Sequence, residues 1–71
     1  MTDMPTDVSS ERVIRALKKA GFLVGREGKH ISMFREEDIV IIPRHKRIKR
    51  GTLRDIIKDA GFTIAEFKSL L

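Results

Sequence analysis

The tripeptide Ala-Gly-Phe closes two amphipathic patterns in this chain, at Ala20 to Phe22 and again at Ala60 to Phe62, and the stretch between them has room only for short elements. Ahead of the first stop, Val13, Ile14, Ala16, Leu17 and Ala20 recur at helical spacing behind Ser9 and Ser10, either of which can serve as an N-cap. Ahead of the second, Leu53, Ile56, Ile57 and Ala60 do the same from about Gly51-Thr52. The repeat reads as a reused helix stop, in which glycine takes the left-handed position past the helix end and the next apolar residue packs back. Thr63-Ile64-Ala65-Glu66 fits a capping box, and Phe67, Leu70 and Leu71 give a last short helix its apolar side.

Between the first two helices the apolar pattern changes period. Phe22 to Glu27 is short and β-rich, Gly28 offers a turn into Lys29 to Arg35, and Glu36-Glu37-Asp38 makes an acidic turn. Ile39 to Ile42 is a β-branched run ended by Pro43, which cannot donate to a ladder and suits a strand end. The predicted order is α-β-β-β-α-α: an α+β fold in which a three-stranded antiparallel meander has one face buried by helices and the other left to water or a ligand. Residues 1–8 read as a flexible lead and 9–71 as a single domain. Phe22, Phe34, Phe62 and Phe67 are spaced as core, which leaves little support for a base-stacking platform.

With 71 residues, the chain holds one small core and no second domain for a cofactor, so its chemistry must sit on the surface. It contains no cysteine, which removes disulfides, thiol nucleophiles and cysteine-type zinc sites together. No apolar run approaches the roughly 20 residues of a membrane span, and Met1 to Asp7 is too polar for a signal peptide, so the expected location is the cytoplasm. The net charge is +5, and Arg44 to Arg50 holds five cations and no acid. Such a block suits a polyanion partner, although a generic basic run is as often a solvated face.

Two histidines are the candidate acid–base groups. An imidazole with an ordinary pKa of about 6.5 takes a proton from a ribose 2′-hydroxyl or gives one to a leaving 5′-oxygen near pH 7. If His30 begins a strand, Ser32 and Phe34 share its face and Lys29 points away, so Lys29 is not its catalytic partner. A strand histidine in a small domain is nonetheless more often a surface or phosphate contact than a catalyst. His45, inside the basic run, reads as a phosphate or hydrogen-bond contact, and Arg44, Lys46, Arg47, Lys49 and Arg50 as cations for the RNA backbone. Neither histidine has metal-ligand spacing around it, so no metal and no cofactor is expected. The acids cluster in a turn, which gives two-carboxylate hydrolysis no foothold.

The ordered pieces Leu17-Lys18-Lys19-Ala20-Gly21-Phe22, Gly28-Lys29-His30, Ile41-Ile42-Pro43-Arg44-His45-Lys46 and Lys49 to Gly61 together resemble the HicA (YcfA-like) toxin family. The resemblance runs over nearly the whole chain from Ser9. It implies a fold similar to a double-stranded-RNA-binding domain and an mRNA interferase whose catalytic histidine is His30. It also implies a HicB-like antitoxin partner that covers the site. Pro43 and His45 match the family's Pro-x-His motif, to which RNA or structural contacts are assigned. One departure is Lys29, where the family commonly places serine or another small residue. The competing expectation is an RNA-binding module without turnover, or an inactive toxin that still binds its antitoxin.

Overall fold

Helix α1, Ser10–Lys19, starts where Ser9 accepts a hydrogen bond from the Arg12 N–H, at 3.2 Å, and so fills the N-cap. The computed structural model of the chain describes residues 3–71. The strands β1, Leu23–Glu27, β2, His30–Arg35, and β3, Asp38–Pro43, follow, and then the helices α2, Arg50–Asp59, and α3, Ile64–Leu70. The order and the antiparallel sheet are those predicted, with β2 in the centre. The Thr63–Glu66 capping box forms in both directions. Hydrogen bonds from the Thr63 N–H and then its hydroxyl hold the exposed Glu66 carboxyl below the ordinary Glu range.

Both Ala-Gly-Phe stops close as predicted. Gly21 and Gly61 sit at φ +96° and +82°, while the following N–H groups of Phe22 and Phe62 reach back to Leu17 and Ile57 at 2.9 and 3.1 Å. This is the six-to-one bond of a Schellman ending, present twice. The two phenylalanines then meet edge to face, with ring centroids 6.3 Å apart. Arg35, from the core-facing side of β2, lies over both rings and donates from Nη1 to the Ala20 carbonyl at 2.9 Å. One side chain thus ties the sheet to the end of α1 and to the loop after α2.

Ile31 and Met33 of β2 and Val40 and Ile42 of β3 point under the helices, where they meet Val13, Leu17, Leu53, Ile56 and Phe67. The alternate residues of the strands face outward. The register places Leu23 beside Phe34 and Phe34 beside Ile39, with Ser32 beside Ile41 and His30 beside Pro43. Phe34 departs from the core assignment of the four phenylalanines: it is 42% exposed, because strand parity puts it on the face opposite Met33.

The lead is tied down at its last residue. Val8 is buried, and its carbonyl accepts the Ile48 N–H at 2.8 Å, so an apolar side chain and a backbone bond hold the chain just before α1. The first two residues of the expected lead lie outside the described residues. Helix α2 begins at Arg50, slightly ahead of the predicted Gly51-Thr52 start.

The left-handed positions give a stability test. No atom lies within 4 Å of a Cβ added at Gly61, so Gly61→Ala isolates backbone strain from crowding. It should cost about 1–2 kcal/mol. Glu36 holds φ +53° in the β2–β3 turn, and Glu36→Gly should raise stability by up to about 1 kcal/mol. Urea denaturation of the two variants checks both signs.

Candidate nucleic-acid interface

Lys29 stands at the tip of the β1–β2 turn, and His30 is the first residue of β2, with its side chain exposed. The turn is held from two sides. The Gly28 N–H donates to the His30 carbonyl at 3.0 Å, and the Gly28 carbonyl accepts Arg44 Nε at 2.7 Å. Arg44 follows Pro43, the strand partner of His30, so its guanidinium crosses from the end of β3 to the turn that carries the histidine. A charge-assisted bond of this length gives the turn a fixed geometry rather than a hairpin that drifts.

The rest of the basic run leaves the sheet at once. His45 has its N–H held by Ser10 Oγ at 2.6 Å and its carbonyl by the Ser10 N–H at 3.0 Å, while Ser10 Oγ also contacts the Pro43 carbonyl at 2.5 Å. Ser10 is 6% exposed and is the only buried polar side chain among the described residues. Of the two serines that suggest an N-cap, Ser9 performs it and Ser10 clamps the segment between β3 and α2. Past the clamp, Ile48 is the run's one buried residue and anchors it to the core.

A cleft of about 470 Å³ opens beside this clamp. Arg44, His45 and Lys46 form one wall, the first turns of α1 supply the other with Ser9, Ser10 and Ile14, and Ile31 contributes from the core side of β2. Glu11 adds a carboxylate at its edge. His30 does not line the cleft. The predicted set therefore divides at the end of the sheet: His30 faces the open side, and the first three residues of the basic run face the helix side.

The remaining predicted residues take other places. Arg47 pairs with Asp7 at 3.3 Å, with both side chains largely exposed. Lys49 is the N-cap of α2 and makes no side-chain cap bond, and Arg50 opens the helix, whose first turn holds no acid. Cations at the positive end of a helix dipole are unfavourable, in contrast to the capped starts of α1 and α3. Among the described residues, no group of three or more His, Cys, Asp or Glu side chains is placed to hold a metal ion.

Arg26 was not among the predicted residues. A bulge between Val24 and Arg26 brings it opposite Ser32, and so to the open face beside the His30 column. Its only sequence signal is Gly25, the residue that the bulge leaves without a partner.

The comparison with known families rests on the same stretch. The family model for the HicA toxin of bacterial toxin–antitoxin systems matches residues 10–62. The chain belongs to the HicA toxin family. The matched span starts at the first residue of α1 and ends at Phe62, so it contains the sheet, the glycine turn, the basic run and both Ala-Gly-Phe stops. HicA toxins belong to toxin–antitoxin systems, so membership of the family implies an antitoxin partner in general. No curated protein matches the chain. No helix among the described residues is long and apolar enough to cross a membrane.

Ser10→Ala tests the clamp. It leaves the His45 N–H and the Pro43 carbonyl without their partner and should cost about 1–3 kcal/mol. Urea denaturation reads the loss, and amide exchange at His45 should accelerate more than at Met33 in the core. Equal protection at His45 in the variant would remove Ser10 from its role.

Proposed function

We propose that this HicA-family chain cuts mRNA without a metal, with His30 as its general acid or base. The ribose 2′-oxygen attacks the adjacent phosphorus while the His30 imidazole takes the hydroxyl proton. The P–O5′ bond then breaks and the 5′-oxygen takes a proton from solvent. With His30 as the acid, the same proton comes from its imidazolium and solvent accepts the one from the 2′-hydroxyl. Either route leaves a 2′,3′-cyclic phosphate and a 5′-hydroxyl.

The observation that carries this reading is the exposed imidazole on a turn held from both sides, with the Arg44 guanidinium at the same turn. An acid–base group on a held backbone, with cations at the same end of the sheet, supplies the two parts that the phosphorane needs: proton transfer and stabilisation of developing charge. Arg44, His45, Lys46, Arg47, Lys49 and Arg50, with Lys29 at the turn tip, hold the RNA backbone. In this reading the chain works in the cytoplasm, and its partner is a HicB-like antitoxin drawn to the cationic surface around His30. A second reading, RNA binding without turnover, draws on the cleft, which gathers Arg44, His45 and Lys46 but not His30.

Purified protein incubated with a long single-stranded RNA in EDTA should produce new ends with 5′-hydroxyls, and His30→Ala should reduce the rate by about 10²- to 10⁴-fold. A rate that rises with pH identifies His30 as the base, and one that falls identifies it as the acid. Intact RNA bound equally by both proteins establishes the non-catalytic module, and 5′-phosphate ends produced only with added metal refute the reaction written here. Lys49→Asp separates binding from stability. It caps α2 and should stabilise the fold by about 1 kcal/mol while weakening RNA affinity. Unchanged affinity removes Lys49 from the RNA contacts.

A further inference from the structure

The open face of the sheet carries a feature that general acid–base chemistry does not use. Leu23, Phe34, Ile39 and Ile41 are exposed by 62, 42, 65 and 52%, and they are the large apolar side chains left outside the core among the described residues. The register makes them one patch: Leu23 and Ile39 flank Phe34, and Ile41 lies beside Ser32. His30, Ser32 and Phe34 form the outward column of the central strand, so Phe34 stands about 13 Å from His30 along the same face.

Charge is distributed along that column. Lys29 at the turn tip, Arg44 bonded to the turn and Arg26 opposite Ser32 outnumber the exposed Glu27 and make the His30 end cationic. The Phe34 end is bounded by the acidic turn Glu36-Glu37, and Asp38 there is paired with Arg35 at 3.7 Å. Phosphates are favoured at the His30 end only, and the apolar patch around Phe34 offers a seat to something flat and uncharged that is joined to them.

Gly25 supplies the second, independent observation. A Cβ at this position would lie 3.2 Å from both the Phe34 ring and Ser32 Oγ. Its φ lies outside the left-handed range that would demand glycine. The missing side chain lets the Phe34 ring lie against the β1 backbone, so one side of the ring is braced by the strand while the rest stays exposed, and a glycine inside a strand often marks such a close approach.

We propose that Phe34 is a base-stacking seat for an unpaired nucleotide of the RNA whose phosphates lie at the His30 end, with Leu23 and Ile39 closing around the edges of the base. The inference rests on the ribonuclease reading above and adds a positioning residue to it. A stacked base needs a strand free of pairing, and an unpaired strand is also the one whose 2′-oxygen can swing into line with the scissile bond. Stacking on an aromatic ring tolerates sequence, because every base has a π-face.

The chain has no tryptophan, so Phe34→Trp introduces a single reporter. In a His30→Ala background, titration with a short unstructured RNA should quench its emission, and the same RNA annealed into a duplex should not. In the cutting enzyme, Phe34→Leu keeps the site apolar but removes the ring, and should weaken RNA affinity roughly 5- to 150-fold. It should raise KM more than it lowers kcat, with Phe34→Tyr restoring the wild-type value. Gly25→Val should reproduce the Phe34→Leu defect by crowding the ring.

RNA that is cut in a His30-dependent way, with no quenching and with wild-type kinetics for Phe34→Leu, overturns the seat and leaves the ribonuclease reading intact. Quenching without cleavage by the wild type supports the seat and overturns catalysis. A blue shift that grows with protein concentration in the absence of RNA assigns the patch to a second copy of the chain and overturns the proposal.

Discussion

Arg35 is the side chain on which the arrangement of this small fold converges. Two helices end in the same left-handed glycine, and each ending returns a phenylalanine toward the sheet. A guanidinium held over both rings, bonded to the Ala20 carbonyl and near Asp38, joins the end of α1, β2, the start of β3 and the loop after α2. A guanidinium suits this position because its plane stacks on aromatic faces while its edge still donates to a carbonyl, which a lysine ammonium does less well. With no disulfide available, the fixed directions of this contact do part of the work that covalent staples do in other small domains.

The opposite end of the sheet is organised by backbone rather than by rings. Ser10 holds the segment after β3 through its hydroxyl and its N–H, and Arg44 returns from that segment to the Gly28 carbonyl. These bonds make the position of His30 depend on α1, although α1 never touches the histidine's face. The cost of breaking the clamp is that of unpaired backbone groups near the core, which is why a single hydroxyl can govern a loop rich in exposed cations. The structure thereby combines a held turn at the histidine with a basic run whose Lys46, Lys49 and Arg50 side chains stay exposed.

Much of this was legible in the sequence because the relevant signals are local. The Ala-Gly-Phe stops, the Thr63–Glu66 capping box and the strand ended by Pro43 depend on a few neighbouring residues, and each forms. The shared face of His30, Ser32 and Phe34 followed from strand parity alone. What the sequence did not reveal depends on register and on distant partners. The Gly25 bulge shifts Arg26 by one position, and a lone glycine inside a strand is its only local signal. The Ser10 clamp acts across 35 residues, so Ser9 and Ser10 looked interchangeable as caps. The spacing of the four phenylalanines puts Phe34 in the core, whereas strand parity with Met33 puts it outside.

The start of α2 shows how local stability and surface charge oppose each other in this chain. Helices α1 and α3 have side-chain caps and an acid in the first turn, as the dipole favours. Helix α2 has neither, and places Lys49 and Arg50 against its own positive end. An isolated helix with that start would fray, and this one persists because Leu53, Ile56 and Ile57 are buried under the sheet. Its apolar face therefore supports an unfavourable terminus, and the same residues that weaken the helix leave unneutralised N–H groups and two cations at the surface.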